Sequence, residues 1–388
     1  MMAIGVFAFF YALVRGIPGQ RIWANLLVNI FFFMSIGLGA TFYMAKKYAA
    51  EASYAIVYKR VYEAISGYLP VGALMLILFL AAGFLGLHHI YHWMDKNVYI
   101  EKLANGETNP LFDKGIAHKA AYFNPMFFWG RILVFFGLFI LAQRTLRKRS
   151  LEEDLTGDIS LYKKSITTSA WFLVVFGFTA PVIVWDVIMS VDTHWFSTMF
   201  GWYVLAGFWC TTMITILLLS LYLKGKGHLE EMNDNHFHDL GKWVFALSVL
   251  WTYTFFCQFM LIWYANIPEE VTYFQDRLGS FGYRPLFWIM FFTNLILPLI
   301  VLMSRDAKRN PKFLMIVGGI LILTHWLDVF VMVMPGTVGA NWKIGPMELG
   351  MFIGFAGLFL FVVLNQLAKV PLVVQKHPML DESKHHQI

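Results

Sequence analysis

Thr324, His325 and Asp328 stand together in a run that is otherwise apolar from Phe313 to Met334. On a helix the i, i+3 spacing puts His325 and Asp328 on one face, and six residues at ~1.5 Å each place Asp328 roughly 9 Å from the end of the run. An ionised carboxylate at such depth in lipid costs about 2.5–3.5 kcal/mol on the gentler insertion scales, so it must pair, reach water or keep its proton. An imidazole beside it exchanges protons near neutral pH, and a proton relay is the chemistry this pair suits. The competing reading is a structural His–Asp hydrogen bond that locks the helix to a neighbour.

Further ionisable groups lie toward the same end of neighbouring runs. Asp186, behind Pro181, precedes a turn with Ser190, Asp192, Thr193 and His194 that contains no Lys or Arg. Ser190, Asp192 and Thr193 are good N-cap types for a helix starting near Trp195, which accounts for Asp192; Asp186 is too deep for that account. Another run ends in Thr254, Gln258, Trp263, Tyr264, Glu269 and Glu270. Thr254 and Gln258 share a face, Trp263 and Tyr264 suit aromatic anchors at a membrane interface, and Glu269 and Glu270 are either proton-path members or solvated interface residues. Arg131 and Glu348 open two more runs on that side, and an Arg131–acid pair is expected. No metal site is expected. Cys210 and Cys257 lie in apolar runs without C-x-x-C spacing, and His325 is the only deep histidine. His88, His89 and His92 cluster at the edge of a run, short of the two facing ligands a haem b needs.

Holding such groups at depth requires membrane helices. Of 388 residues, 59% are hydrophobic, 18% aromatic and only 14% charged, a composition that excludes an ordinary soluble fold. The net charge of +6 is scattered through short loops, with no aromatic-interleaved basic stripe, so no nucleic-acid partner is expected. Apolar runs cover 22–45, 65–87, 125–143, 167–189, 195–223, 240–264, 285–303, 313–334 and 345–367. Runs of this length without ten-residue alternation are helices. With Met1–Val14, which reaches only ~20 Å as a helix and lacks a basic n-region and a cleavage site, about ten transmembrane helices are expected. The fold class is all-α integral membrane, one polytopic domain over 1–388, with a short N-terminal span and linker at 1–21 and a tail at 369–388.

Lys and Arg concentrate in alternate loops: Lys46 to Arg60, Arg144 to Lys164, Lys224 and Lys226, Arg305 to Lys312, and the tail. Basic residues stay on the cytoplasmic side, which puts both termini there, while lipids surround the spans. The long loop 88–124, with Gly106, Asn109, Pro110 and Gly115, then lies outside as a docking surface. The segment 144–166, where Arg and Lys mix with Glu152, Glu153, Asp154 and Asp158, reads as a solvated connector. Asn29, Asn294 and Asn365 read as interhelical glue, and Gly350, Gly354 and Gly357 as a packing surface.

Four long stretches carry a family resemblance: AAYFNPMFFWGR from Ala120, WDVIMSVDTHWFSTMFGWYVLAG from Trp185, HDLGKWVFALSVLWTYTFFCQFMLIWYANIPEE from His238 and THWLDVFVMVMPG from Thr324. With the span order, over about 23–376, the chain resembles the ActF subunits of alternative complex III, the bacterial quinol:cytochrome c oxidoreductase, within the NrfD-like superfamily of polysulfide- and nitrite-reductase membrane subunits. The resemblance implies two four-helix bundles with flanking helices, residence in the bacterial inner membrane and no cofactor bound by this chain. Haem c and iron–sulfur clusters would belong to partner subunits. The implied partners are an ActC-like quinol-binding paralogue, an iron–sulfur subunit, multihaem and monohaem cytochrome c subunits and small membrane subunits, with a terminal oxidase as a further candidate. The sister subunit's G-I-G-H-A-G-T type sequence has no counterpart here, which leaves menaquinol binding to this chain open. Carried over by position, the implied proton path comprises Asp186, Asp192, His194, Glu269, Glu270, His325 and Asp328, to which the residue pattern adds Glu348. Arg131, Thr254, Gln258, Tyr264 and Thr324 would lend ion-pair or polar support.

The expected function is thus an accessory membrane subunit of a quinol-oxidising complex, providing scaffold and a proton path. A purely structural anchor paralogue is one rival. An ion-coupled secondary transporter is another, although the sequence lacks two short, Gly/Pro-interrupted spans in corresponding positions.

Overall fold

The structure, a computed structural model, describes residues 1–103 and 107–387; Gly106 of the long loop lies outside them. Among the described residues the regular structure is helical, apart from one isolated bridge between Lys102 and Thr108. The helices are α1 (Met2–Val14), α2 (Gly19–Ala49), α3 (Lys59–Ser66), α4 (Leu69–Phe84), α5 (Lys114–His118), α6 (Pro125–Thr156) and α7 (Ile159–Val187). They continue with α8 (Thr198–Gly225), α9 (Asp234–Ala265), α10 (Pro268–Gln275), α11 (Arg284–Val301), α12 (Pro311–Val338), α13 (Pro346–Leu367) and α14 (Leu380–Lys384). Nine of these segments, counting α3 and α4 as one, are long and apolar enough to cross a membrane; α1 is a shorter apolar helix.

Local chemistry sets the helix ends. The N–H groups of Met126 and Phe127 donate to Asn124 Oδ1 at 2.9 and 3.4 Å ahead of Pro125, and α6 stops at Gly157, whose φ of +73° suits a residue without a Cβ. Asn310 and Pro311 open α12 in the same way. Two sequence expectations are corrected here. The segment 144–166 is almost entirely helical, because α6 runs on to Thr156 and α7 resumes at Ile159. The helix expected near Trp195 begins at Thr198. Ser190 and Thr193 do not cap it; their hydroxyls donate backward to the carbonyls of Asp186 and Ser190 at 2.6 and 3.1 Å.

The long helices sort into two groups of four. One comprises α2, α3–α4, α6 and α7, the other α8, α9, α11 and α12, and α2 also packs on α8 and α12 to join them. Helices α2 and α8 are largely enclosed, whereas α6 and α11 leave most of their surface free for lipid. Without a hydrophobic drive between helices in lipid, small residues set the close approaches. The flanking α1 lies on α13 so tightly that a Cβ on Gly354 would sit 2.5 Å from Gly5 Cα, and one on Gly350 would sit 2.4 Å from Ala8 Cβ. Gly354→Val should push α1 off α13 and destabilise the fold by about 1–3 kcal/mol. Maleimide labelling of Ala12→Cys, a position with 0% exposure, should rise sharply in that background; unchanged labelling would show that α1 stays docked.

Polar residues gather at two opposite ends. One end, the loop end, joins 15–21, 85–103, 107–124, 188–197, 266–283 and 339–345 through bonds such as Lys119 Nζ to the Thr193 carbonyl (2.7 Å) and Trp195 Nε1 to the Glu270 carbonyl (3.0 Å). The other, the tail end, is where the C-terminal segment docks. Ser53 Oγ donates to Glu382 at 2.8 Å, Lys384 pairs with Glu231 at 2.8 Å, and the His386 ring meets Asp239 at 2.7 Å. The tail is therefore an integral cover over that end.

Candidate functional site

Asp328 projects from α12 into the second four-helix group, where Tyr203 of α8 bonds Oδ1 and the Trp251 indole N–H of α9 donates to Oδ2 at 3.0 Å. The carboxyl is 2% exposed. No Lys or Arg pairs with it among the described residues, so it is neutralised by no cation. Gly207 makes room for the indole: a Cβ there would lie 3.3 Å from Trp251 Cδ1. Helix α12 continues to Val338 rather than ending at Met334, so Asp328 lies roughly 15 Å from the helix end at ~1.5 Å per residue, deeper than the apolar run alone suggests.

His325 does not bond Asp328 directly. Its ring stands edge-on to Trp251 at 5.7 Å, and neither ring nitrogen has a partner. Both side chains nevertheless line one void of about 10 Å³ with Ser35 and Thr211. That volume is at the lower limit for a single water, so His325 and Asp328 border one small void without bonding each other. The structural His–Asp lock is replaced by a Tyr–Asp–Trp clasp with an imidazole one step away. Thr324 faces elsewhere, its hydroxyl donating to Asn294 Oδ1 of α11 at 2.5 Å.

The remaining sequence candidates separate into arginine clamps and surface groups. Arg131 does find an acid: its Nε and Nη2 donate to both oxygens of Asp186 at 2.8 and 2.9 Å, with Nη1 on the Tyr122 carbonyl. Asp192 accepts from Arg277 at 3.1 Å, so its role is pairing, not capping. Arg277, 1% exposed, also donates to the carbonyls of Tyr273, Val331 and Met332. Glu348 accepts from Arg21 Nε at 2.8 Å and from the Gly345 N–H at 2.9 Å. His194 is exposed and meets Asp113 at 2.9 Å. Glu269 and Glu270 sit in the first turn of α10, where negative charge complements the helix dipole. Tyr264 is 85% exposed, Thr254 bonds back to its own helix, and Gln258 is buried with Oε1 unpartnered. These groups occupy separate clusters, and no hydrogen-bonded chain among them reaches Asp328.

An aromatic column does lead toward Asp328 from the Asp192–Arg277 pair. The Arg277 guanidinium lies 3.3 Å over the Tyr273 ring, Tyr273 packs on Phe200 at 6.0 Å, and Phe200 packs on Tyr203 at 5.9 Å. Tyr203, Trp251, Tyr273 and Arg277 were not legible as site residues, because aromatics abound in lipid-facing runs and nothing in their spacing ties them to a carboxylate on another helix.

A second buried ionic cluster, at the tail end, also escaped the sequence reading. Arg60 pairs with Glu63 at 2.5 Å and with Asp154, and Ser150 Oγ bridges to Glu63 at 2.5 Å. Lys59 lies 3.7 Å from Glu153, whose two oxygens have no hydrogen-bond partner. The expected solvated connector is thereby corrected: Glu153 and Asp154 turn inward, while Asp158 stays exposed. The only sequence signal was the basic pair Lys59–Arg60 close before a span.

The tail seals this cluster. The Gln375 N–H donates to Asp154 at 3.0 Å, and His377 sits over Lys59, Arg60, Tyr48 and Tyr162. Burial, with the Lys59 and Arg60 cations, holds the His377 imidazole well below the usual histidine range; Glu153 Oε1, at 3.8 Å, pulls the other way from beyond hydrogen-bond reach. The docked tail therefore binds fewer protons than a released one. Docking is at full strength above the free histidine value of about 6.5 and weakens as pH falls below it, by at most ~1.4 kcal/mol per pH unit. Cleavage of the tail by an acid-tolerant protease should rise about tenfold from pH 7.5 to 5.5, and His377→Gln should flatten the response. A wild-type tail cut equally at both pH values would contradict it.

Among the described residues no group of three or more His, Cys, Asp or Glu side chains is arranged to hold a metal ion. Fold and site together define a polytopic all-α membrane protein with a deep, uncharged-partner carboxyl and arginine-clamped acids at one end. Compared with known proteins, the chain matches no family model and no curated protein.

Proposed function

We propose that the chain is an accessory membrane subunit of a quinol-oxidising respiratory complex of the alternative complex III type, in which it supplies helical scaffold and one proton-exchanging site centred on Asp328. The lysine- and arginine-rich tail end faces the cytoplasm of a bacterial inner membrane, and the loop end faces the electron-carrying partners. The observation that carries the proton-handling part is Asp328, a buried carboxyl with two neutral donors, no cation among the described residues and an unpartnered imidazole bordering the same small void. Such a group is expensive in lipid, and its default meaning there is functional. The four long stretches quoted above support the complex. Quinol is oxidised on a partner, and this chain offers a proton acceptor near the route that released protons take.

A structural anchor remains the second reading, favoured by a specific observation: Asp186, Asp192 and Glu348 are each held by an arginine. Those three act as clamps under both readings. The membership test is affinity purification of the tagged full chain in mild detergent. Copurification of c-type haem and iron–sulfur subunits with quinol:cytochrome c activity is the expected result; a chain that purifies alone from its native membrane, without redox partners, would contradict it.

A further inference from the structure

At the tail end, where the two four-helix groups meet, Gly39, Phe42, Tyr43 and Lys46 of α2 line a groove with Trp209, Thr212 and Met213 of α8 and Trp243, Leu247 and Leu250 of α9. The α2 residues recur at helical spacing, so they form one continuous face. The groove encloses about 260 Å³. Its floor is closed where α2 meets α8, since a Cβ on Gly39 would strike Thr212 Oγ1 at 2.2 Å. Its walls are rigid aromatics: Phe42 stacks on Trp209 at 4.6 Å, and the Trp243 indole is fixed by donating to Tyr54 Oη at 2.8 Å.

Lys46 stands at the head of this apolar groove. Its ammonium lies 3.1 Å over the Trp243 ring and, among the described residues, makes no ion pair or hydrogen bond. The carboxylate in the vicinity, Asp239, is already taken by Lys242 at 2.5 Å and His386 at 2.7 Å. Lys47 beside it is buried and bonded to Tyr54, so it does not answer the Lys46 charge. A half-buried cation with no counter-ion, set above an apolar slot at the level where helices leave the membrane, is complementary to a molecule with an anionic head and an apolar chain. A neutral quinone head would leave the charge unanswered.

We infer that this groove is a specific site for one anionic phospholipid, its phosphate on Lys46 and an acyl chain between Phe42, Trp209 and Leu250. The site stands independently of the proposed respiratory role and needs only that the helices cross a membrane. Lipid bound there would bridge the two helix groups.

The full chain in a zwitterionic detergent, titrated with phosphatidylglycerol or phosphatidylcholine of matched chains and followed by native mass spectrometry, tests this. Phosphatidylglycerol should occupy one site at least about fivefold more tightly than phosphatidylcholine. Lys46→Gln should abolish that preference, Lys46→Arg should retain it, and Leu250→Trp, which fills the slot without touching the charge, should weaken binding of both lipids. Equal affinity for the two lipids, or a preference that survives in Lys46→Gln, would overturn the site. Displacement of the lipid by millimolar inorganic phosphate would show a plain anion site and overturn it as well. If Lys46→Gln fails to fold, the wild-type preference between the two lipids and the Leu250→Trp result decide together.

Discussion

Replacing Arg131 with Met is expected to destabilise the folded chain by about 3–5 kcal/mol, the usual penalty for stranding one member of a buried ion pair. Asp186 is 0% exposed and accepts from Arg131 at both oxygens, so losing the guanidinium leaves a carboxylate with no solvent to fall back on. The Tyr122 carbonyl loses its donor too, which loosens the loop-end segment ahead of α6. Asp186→Leu should be similarly damaging, because it leaves a buried guanidinium. The double variant Arg131→Met/Asp186→Leu should recover most of the loss, since a well-packed apolar pair is often no worse than a buried ionic one. Reversible unfolding in detergent or bicelles, arranged as a double-mutant cycle, reads the coupling directly. Single variants that cost under ~1 kcal/mol would mean the pair is solvated after all.

Asp328→Asn should have the opposite profile, leaving the fold largely intact and removing function. The amide has the size of the carboxyl, its oxygen can accept from the Trp251 N–H, and its NH2 can donate to the Tyr203 oxygen. What it cannot do is take up or release a proton. Positioned proton transfer typically contributes 10²–10⁴-fold. In the assembled complex, therefore, quinol turnover should fall at least about tenfold, with subunit content unchanged. His325→Phe, which removes the imidazole without altering the Tyr203–Asp328–Trp251 clasp, should give a smaller loss in the same direction. Normal turnover in fully assembled Asp328→Asn complex would favour the anchor reading.

The contrast between these two variants reflects what a sequence can and cannot display. The spans were legible because membrane thickness imposes a run length that soluble cores do not need, and the small-residue face of α13 was visible as Gly350, Gly354 and Gly357, though not its partner α1. The partners were not legible. Arg131 and Asp186 lie 55 residues apart, Tyr203 and Asp328 125 apart, Arg21 and Glu348 327 apart, and helical spacing reports only which residues share a face of one helix. It placed His325 and Asp328 on a common side, yet α8 and α9 decide that Asp328 turns to Tyr203 and Trp251 and leaves His325 unbonded. The acids Glu153 and Asp154 misled for a different reason. Their composition is that of a solvated surface, and they are enclosed by Lys59 and Arg60 of α3 together with a tail from more than 200 residues away.

The central claim is that Asp328 exchanges a proton during turnover. Redox-triggered infrared difference spectroscopy of the reconstituted complex measures this directly, through the carbonyl stretch of a protonated carboxylic acid. A carboxyl band that appears or disappears on quinol addition in the wild type, and is missing from Asp328→Asn, is the expected result. Identical difference spectra from the two proteins would contradict it and leave Asp328 as a structural clasp.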